Sequence, residues 1–241
     1  VVVKKDGSII DICIGEEAND PVFCVTDLLP HLAQEQMEKK GSVVVEGEAL
    51  DVLCGNYPLT KEDKESVKEN VLALLKEKYN IEEADFLSAE LIFVPAGRAR
   101  ELGFDRSMVL AYGQDDRVCS YTSLVAMLET KKVNRTACCL LVDKEEIGSV
   151  GATGMQSRFF ENAVAEVLNL MGETSELAVR RTLANSKMLI SDVSSAYDPL
   201  YASAFDKKNV AYVGKGMVFN KFTGARGKSG SNDANAEYLG E

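Results

Sequence analysis

A chain of 241 residues can form one large domain or two small ones, and 46% apolar with 27% charged residues is an ordinary globular composition. Its formal net charge of −11 argues against wholesale nucleic-acid binding, and no block of Lys or Arg offsets it. Six cysteines without CxxC spacing, no signal peptide and no apolar run long enough to span a membrane point to the reducing cytoplasm and away from membrane insertion.

In chain order, VVVKKDGSIIDICI predicts two strands joined near Asp6-Gly7, where glycine supplies the positive φ of a tight hairpin. PVFCVTDLLPHLAQEQMEKK starts extended and continues into a helix with Pro30 near its first turn. KGSVVVEGEALDVLCG predicts more short strands. Thr60 is the expected N-cap of an amphipathic helix with a stripe of Val67, Val71, Leu72, Leu74 and Leu75. ADFLSAELIFVPAG reads as another strand, and GRARELGFDRSM as a connection to a helix over 116–129. The order then becomes αβαβ: the strand TACCLLV, the helix GMQSRFFENAVAEVLNLM, the strand SKMLISDV and hairpin-like strands in NVAYVGKGMVFNKFT. A further helix opens at Asn232 or Asp233. The alternation predicts an α/β layered sheet in the second part, after a strand-rich first part, with the boundary near residues 94 to 106.

Functional groups in open α/β sheets gather beyond the C-terminal ends of strands. Glu145 and Glu146 follow TACCLLV, Asp192 follows KMLIS, and Asp115 lies just before a helix. If these ends converge, repulsion must be relieved by protonation or by a cation. Hard oxygen donors suit a divalent metal, and a carboxylate left unbound could serve as general base toward a water. Each residue is also readable as a solvated loop acid, and spacing alone leaves both readings open.

Two nucleotide motifs fail on spacing. Gly148, Gly151 and Gly154 lie between strand and helix, but GxGxxG would need glycine at Ser149 or Val150. RGKSG resembles the end of a phosphate loop, with Phe222 where the first glycine belongs. A nucleophilic triad has one histidine to draw on, His31, and a lone histidine is more often structural than catalytic.

The segments AYGQDDRVCSYTSLVAML, LLVDKEEIGSVGATGMQSRFFENAV, NSKMLISDVSSAYDPLYASAF and GKSGSNDANAEY, in that order, resemble the aspartyl aminopeptidase family of binuclear zinc aminopeptidases. The likeness runs through residues 106–241 and more loosely through the first hundred. It implies an α/β chain in which a layered mixed-sheet catalytic domain, incomplete here, covers 99–241. An inserted, strand-rich dimerisation domain would cover 1–98. It also implies two divalent metal ions, zinc or else cobalt or manganese, and peptide substrates with acidic amino-terminal residues.

The resemblance divides the acidic pair: Glu145 would be the general base and Glu146 a metal ligand. Asp115 would bridge the two ions and Asp192 would bind the second. DLLPHLAQ resembles the stretch that sends a histidine into a neighbouring subunit's active site, which makes His31 the candidate oxyanion donor and implies a homodimer or larger homo-oligomer. For an acidic substrate side chain, Lys221 and Lys215 are the candidate cations. The family's metal site also uses two histidines that have no counterpart here, and the chain opens on VVVKK. The resemblance thus implies a fragment, inactive alone and active in its parent. A non-catalytic dimerisation or assembly module is the alternative reading.

Overall fold

A computed structural model describes residues 1–60 and 66–219, and the chain divides into two compact units, Val1–Tyr112 and Gly113–Glu241. In the first unit, β1 (Val2–Val3) and β2 (Ile9–Ile10) pair antiparallel, with Val2 opposite Ile10. Gly7, at φ 83°, takes the left-handed turn position, and Lys4 N–H closes the turn onto the Ser8 carbonyl at 2.8 Å. On its other side β1 meets the 3₁₀ segment Glu83–Ser88: Ser88 Oγ donates to the Val3 carbonyl at 2.6 Å, and Lys4 faces Asp85 at 3.8 Å. Val2 is thereby buried to 5% exposure.

Between these ends, β3 (Cys24–Val25) pairs antiparallel with β4 (Val52–Leu53). The helix expected after Pro30 is the single turn α1 (Gln34–Met37). Most of KGSVVVEGEALDVLCG, expected as strands, coils into two 3₁₀ turns, Gly41–Val43 and Gly47–Ala49, and only β4 is extended and paired. Helix α2 is described over Ser66–Tyr79, and its start at Thr60 depends on residues 61–65, outside the described part. Val67, Val71, Leu72 and Leu75 are half-buried against Val52, Leu53 and Phe86, whereas Leu74, placed on the same stripe from sequence, is 56% exposed. The segment 98–107 is not a plain connection: β5 (Arg100–Leu102) and β6 (Met108–Leu110) form an antiparallel hairpin turned at Gly103 and Arg106, both at positive φ.

The second unit is helical in its regular elements. Helix α3 covers Gln114–Glu129, α4 Phe159–Leu170 and α5 Glu176–Ala184. Phe160, Val164 and Leu168 recur every four residues on one face of α4, and α4 packs on α5, whose half-buried residues include Val179 and Leu183. Ser175 caps α5 by accepting the Leu177 N–H on its hydroxyl. Tyr197 gathers Phe205 and Tyr212 at ring distances of 5.8 and 5.4 Å, beside a parallel bridge between Ala196 and Ala211.

Two expected strands do not form. Residues 136–142 and 186–193 join no β-pairing among the described residues, and Leu141, Val142, Leu189 and Ile190 lie exposed. An extended segment becomes a strand only when a neighbour takes up its N–H and C=O groups, and no described segment does so here. ADFLSAELIFVPAG likewise yields a 3₁₀ turn and an exposed run, Leu91 to Val94, with one bridge from Ala89 to Val2.

Candidate metal centre

Three aspartates meet in the second unit. Asp115 and Asp116 stand at the first turn of α3, where Gly113 caps the helix at φ 75° and a β-carbon would lie 3.2 Å from Arg117 Nε. Both depart from helical φ/ψ, and the peptide bond between them is cis. Asp192 follows segment 186–191, which joins no β-pairing among the described residues, and accepts its neighbour Val193's N–H at 2.7 Å. One oxygen from each of the three carboxylates lies within 4.8 Å of the other two.

The electrostatics register this crowding. The Asp115 carboxyl is pushed above the usual aspartate range by partial desolvation and then by the charges of Asp192, Glu146 and Asp116. Glu146 therefore lies close enough to act on Asp115, although it stands outside the triad itself. Asp116 Oδ1 is buried with no hydrogen-bond partner, an arrangement that a cation would relieve. The Cys119 thiol is pushed up by burial first and then by its hydrogen bond to Asp116; it also meets Ser191, which ties α3 to the segment leading to Asp192.

Glu145 and Glu146 sit on a loop that closes on itself. Asp143 N–H donates to the Thr153 carbonyl at 3.2 Å, Ser149 N–H to Lys144 at 2.8 Å and Gly148 N–H to Glu145 at 2.8 Å. Lys144, Gly148, Ser149 and Gly151 all take positive φ. Gly154 is buried beneath this loop, where a β-carbon would lie 2.2 Å from the Ser149 carbonyl oxygen, so no other residue fits without moving it. Both glutamates are exposed.

The structure thus brings Asp115 and Asp192 together, sets Glu146 within electrostatic reach, and adds Asp116, which sequence reasoning passed over. The signal was present in the adjacent aspartates of QDDR, only the first of which had been given a role. His31 lies exposed in the turn before α1, in the other unit. Lys215 is exposed, its N–H donating to the Tyr212 carbonyl at 3.2 Å. Lys221, the segments RGKSG and GKSGSNDANAEY, and the helix expected at Asn232 or Asp233 lie outside the described residues.

The donors fit a divalent cation: three carboxylates whose oxygens lie within 4.8 Å of one another, one of them carrying an orphaned oxygen, form a hard anionic set of a kind that zinc also accepts. All six cysteines are free thiols, and none of the three aspartates has a cysteine or histidine as a gathered co-ligand among the described residues. No helix among the described residues is long and apolar enough to cross a membrane.

Comparison with known proteins points the same way. The sequence pattern of the family described as Aminopeptidase I zinc metalloprotease (M18) matches residues 1–240. Probable M18 family aminopeptidase 1 of Clostridium acetobutylicum is 60% identical over 242 residues, which is all of this chain and 52% of that protein. The crystal structure of aminopeptidase I from the same organism superposes with a TM-score of 0.81 over 99% of this chain and 51% of that one. The M18 aminopeptidase structure from Thermotoga maritima gives 0.85 at 44% identity, over 99% and 52%. The chain spans about half the length of the curated relatives it matches. Ape4, solved in complex with Nbr1, matches at 22% identity with a TM-score of 0.58, a likeness of fold alone. With a family match from end to end, structural neighbours of α/β aminopeptidase fold and a carboxylate cluster suited to a cation, the chain belongs to the M18 family of zinc metalloprotease aminopeptidases.

Proposed function

We propose that this chain carries part of the catalytic centre of a metal-dependent aminopeptidase that removes amino-terminal residues from peptides. The observation that carries the reading is the gathering of Asp115, Asp116 and Asp192, with Glu146's charge acting on Asp115, in a chain of a zinc metalloprotease family. Asp115, Glu146 and Asp192 would hold the two divalent ions. The ions would supply Lewis-acid polarisation of the scissile carbonyl.

The remaining chemistry belongs to the protein. Glu145 takes a proton from the attacking water and delivers it to the leaving amine, so the C–N bond breaks as a neutral amine departs. His31, from a neighbouring subunit, donates to the oxygen that becomes negative in the tetrahedral intermediate. Residues 1–98 form the dimerisation domain that makes this possible, and 99–241 the catalytic part. Lys221 or Lys215 would select an acidic substrate side chain by charge. Six free thiols agree with a reducing cytoplasmic setting.

Exposed apolar runs at 141–142 and 189–190, together with relatives about twice as long, support a chain that is completed by further strands and ligands in its parent. The test is release of amino-terminal Asp, Glu and Leu from chromogenic peptides, with zinc, cobalt or manganese and a chelated control. Turnover is expected of the full-length protein and not of residues 1–241 alone. Glu145→Gln should lower kcat by about 10²- to 10⁴-fold in the full-length protein. A Glu145→Gln enzyme with undiminished kcat would end the reading.

A further inference from the structure

The loop that bears Glu145 and Glu146 has a fastening outside the acidic residues. Gln156 reaches back across it twice: its main-chain N–H donates to the Ser149 carbonyl at 3.0 Å, and its side-chain Nε2 donates to the Gly148 carbonyl at 2.5 Å. Gly148 N–H is in turn bonded to the Glu145 carbonyl, and Ser149 N–H to that of Lys144. Gln156 therefore holds by their carbonyls the same two residues, Gly148 and Ser149, whose N–H groups close the turn onto Glu145 and Lys144. Gly154 admits the grip, because any side chain there would strike the Ser149 and Val150 carbonyls.

From this geometry we infer that Gln156 is a positioning residue for Glu145 and Glu146, acting through the Gly148 and Ser149 carbonyls. The inference rests on the reading of Glu145 as general base. An exposed carboxylate on a turn that contains three residues at positive φ, Lys144, Gly148 and Ser149, holds its direction only as well as the turn holds its shape. The N–H groups of Asp143, Gly148 and Ser149 bond within the loop, and Gln156 ties the loop to the segment that leads into α4.

The test compares Gln156→Met and Gln156→Lys in the full-length, metal-loaded protein, with Glu145→Gln alone and combined with Gln156→Met. Methionine keeps the length and removes the donor, whereas lysine keeps an N–H at similar reach. Amide hydrogen exchange of Gly148 and Ser149 should quicken in Gln156→Met. Its kcat should fall about tenfold with KM within about twofold, since a base that is misdirected fails only in the transition state. Zinc affinity should weaken through Glu146, and Gln156→Lys should recover part of each effect. On a Glu145→Gln background, Gln156→Met should lower kcat no further. Unchanged exchange, or quickened exchange with unchanged kcat, overturns the inference while an inactive Glu145→Gln leaves the base assignment standing. An active Glu145→Gln overturns both.

Discussion

Asp116 holds the sharpest residue-scale statement in the molecule: a carboxylate oxygen out of contact with water and with every donor. Beside it, Asp115 is destabilised as an anion by desolvation first and then by the charges of Asp192 and Glu146. A cation satisfies both conditions at once, so removing Asp116's charge should be felt in metal binding. Replacing an outer partner of a metal site typically costs 10–100-fold in affinity. Asp116→Asn should therefore loosen zinc by about tenfold or more in a chelator-competition titration, and an unchanged affinity would show that the orphaned oxygen faces nothing of consequence. The adjacent aspartates of QDDR could be seen in the sequence. Which of their oxygens would be buried, and that Cys119 and Ser191 would knit α3 to the Asp192 segment, depended on a long-range approach that no local pattern encodes.

At the scale of elements, the cap of α5 and the turn after Phe205 are open to direct test. Ser175→Ala removes the acceptor for Leu177 N–H and should cost about 1 kcal/mol in a denaturant melt of the second unit. Asp206 accepts from Lys208 N–H at 3.0 Å and from Asn209 Nδ2 at 2.7 Å, which hold its carboxyl below the ordinary aspartate range. A lowered folded pKa means that the turn is stabilised above the unfolded value and that this stability is lost as pH falls through the folded one. The Lys208 amide shift should accordingly titrate below a free aspartate, and Asp206→Asn should abolish the step. Helix α4 was legible because period 3.6 is written in neighbouring residues, Phe160, Val164 and Leu168 for instance. Helix α5 was missed although Ser175 ahead of ELAVRRTLA announces it, and the β5–β6 hairpin was passed over as a connection. The strands at 136–142 and 186–193 failed for the opposite reason: apolar runs state what could pair, and pairing depends on a partner elsewhere in the chain.

For the whole molecule, the exposure of Leu141, Val142, Leu189 and Ile190, with Ile92 and Phe93 in the other unit, sets the expectation. Unpaired apolar segments recruit whatever apolar surface or open strand edge is near. Residues 1–241 alone should bind an apolar dye strongly and grow into ever larger species as concentration rises on a sizing column, and the full-length protein should be dye-silent and elute as a closed oligomer of fixed size. A monomeric, dye-silent 241-residue chain would contradict this.

The approach of Asp192 to α3 also has a thermodynamic side. Asp115 stands at the start of helix α3, and Asp192 in a segment that joins no β-pairing among the described residues, so an ion that took an oxygen from each would put part of its affinity into folding. Such an ion stabilises only the gathered state, by RT ln(1 + [L]/Kd), about 2.7 kcal/mol at a hundred times Kd. Zinc would then act on this protein as a ligand of its fold, and the melting temperature of the second unit would read out the free-zinc concentration around it.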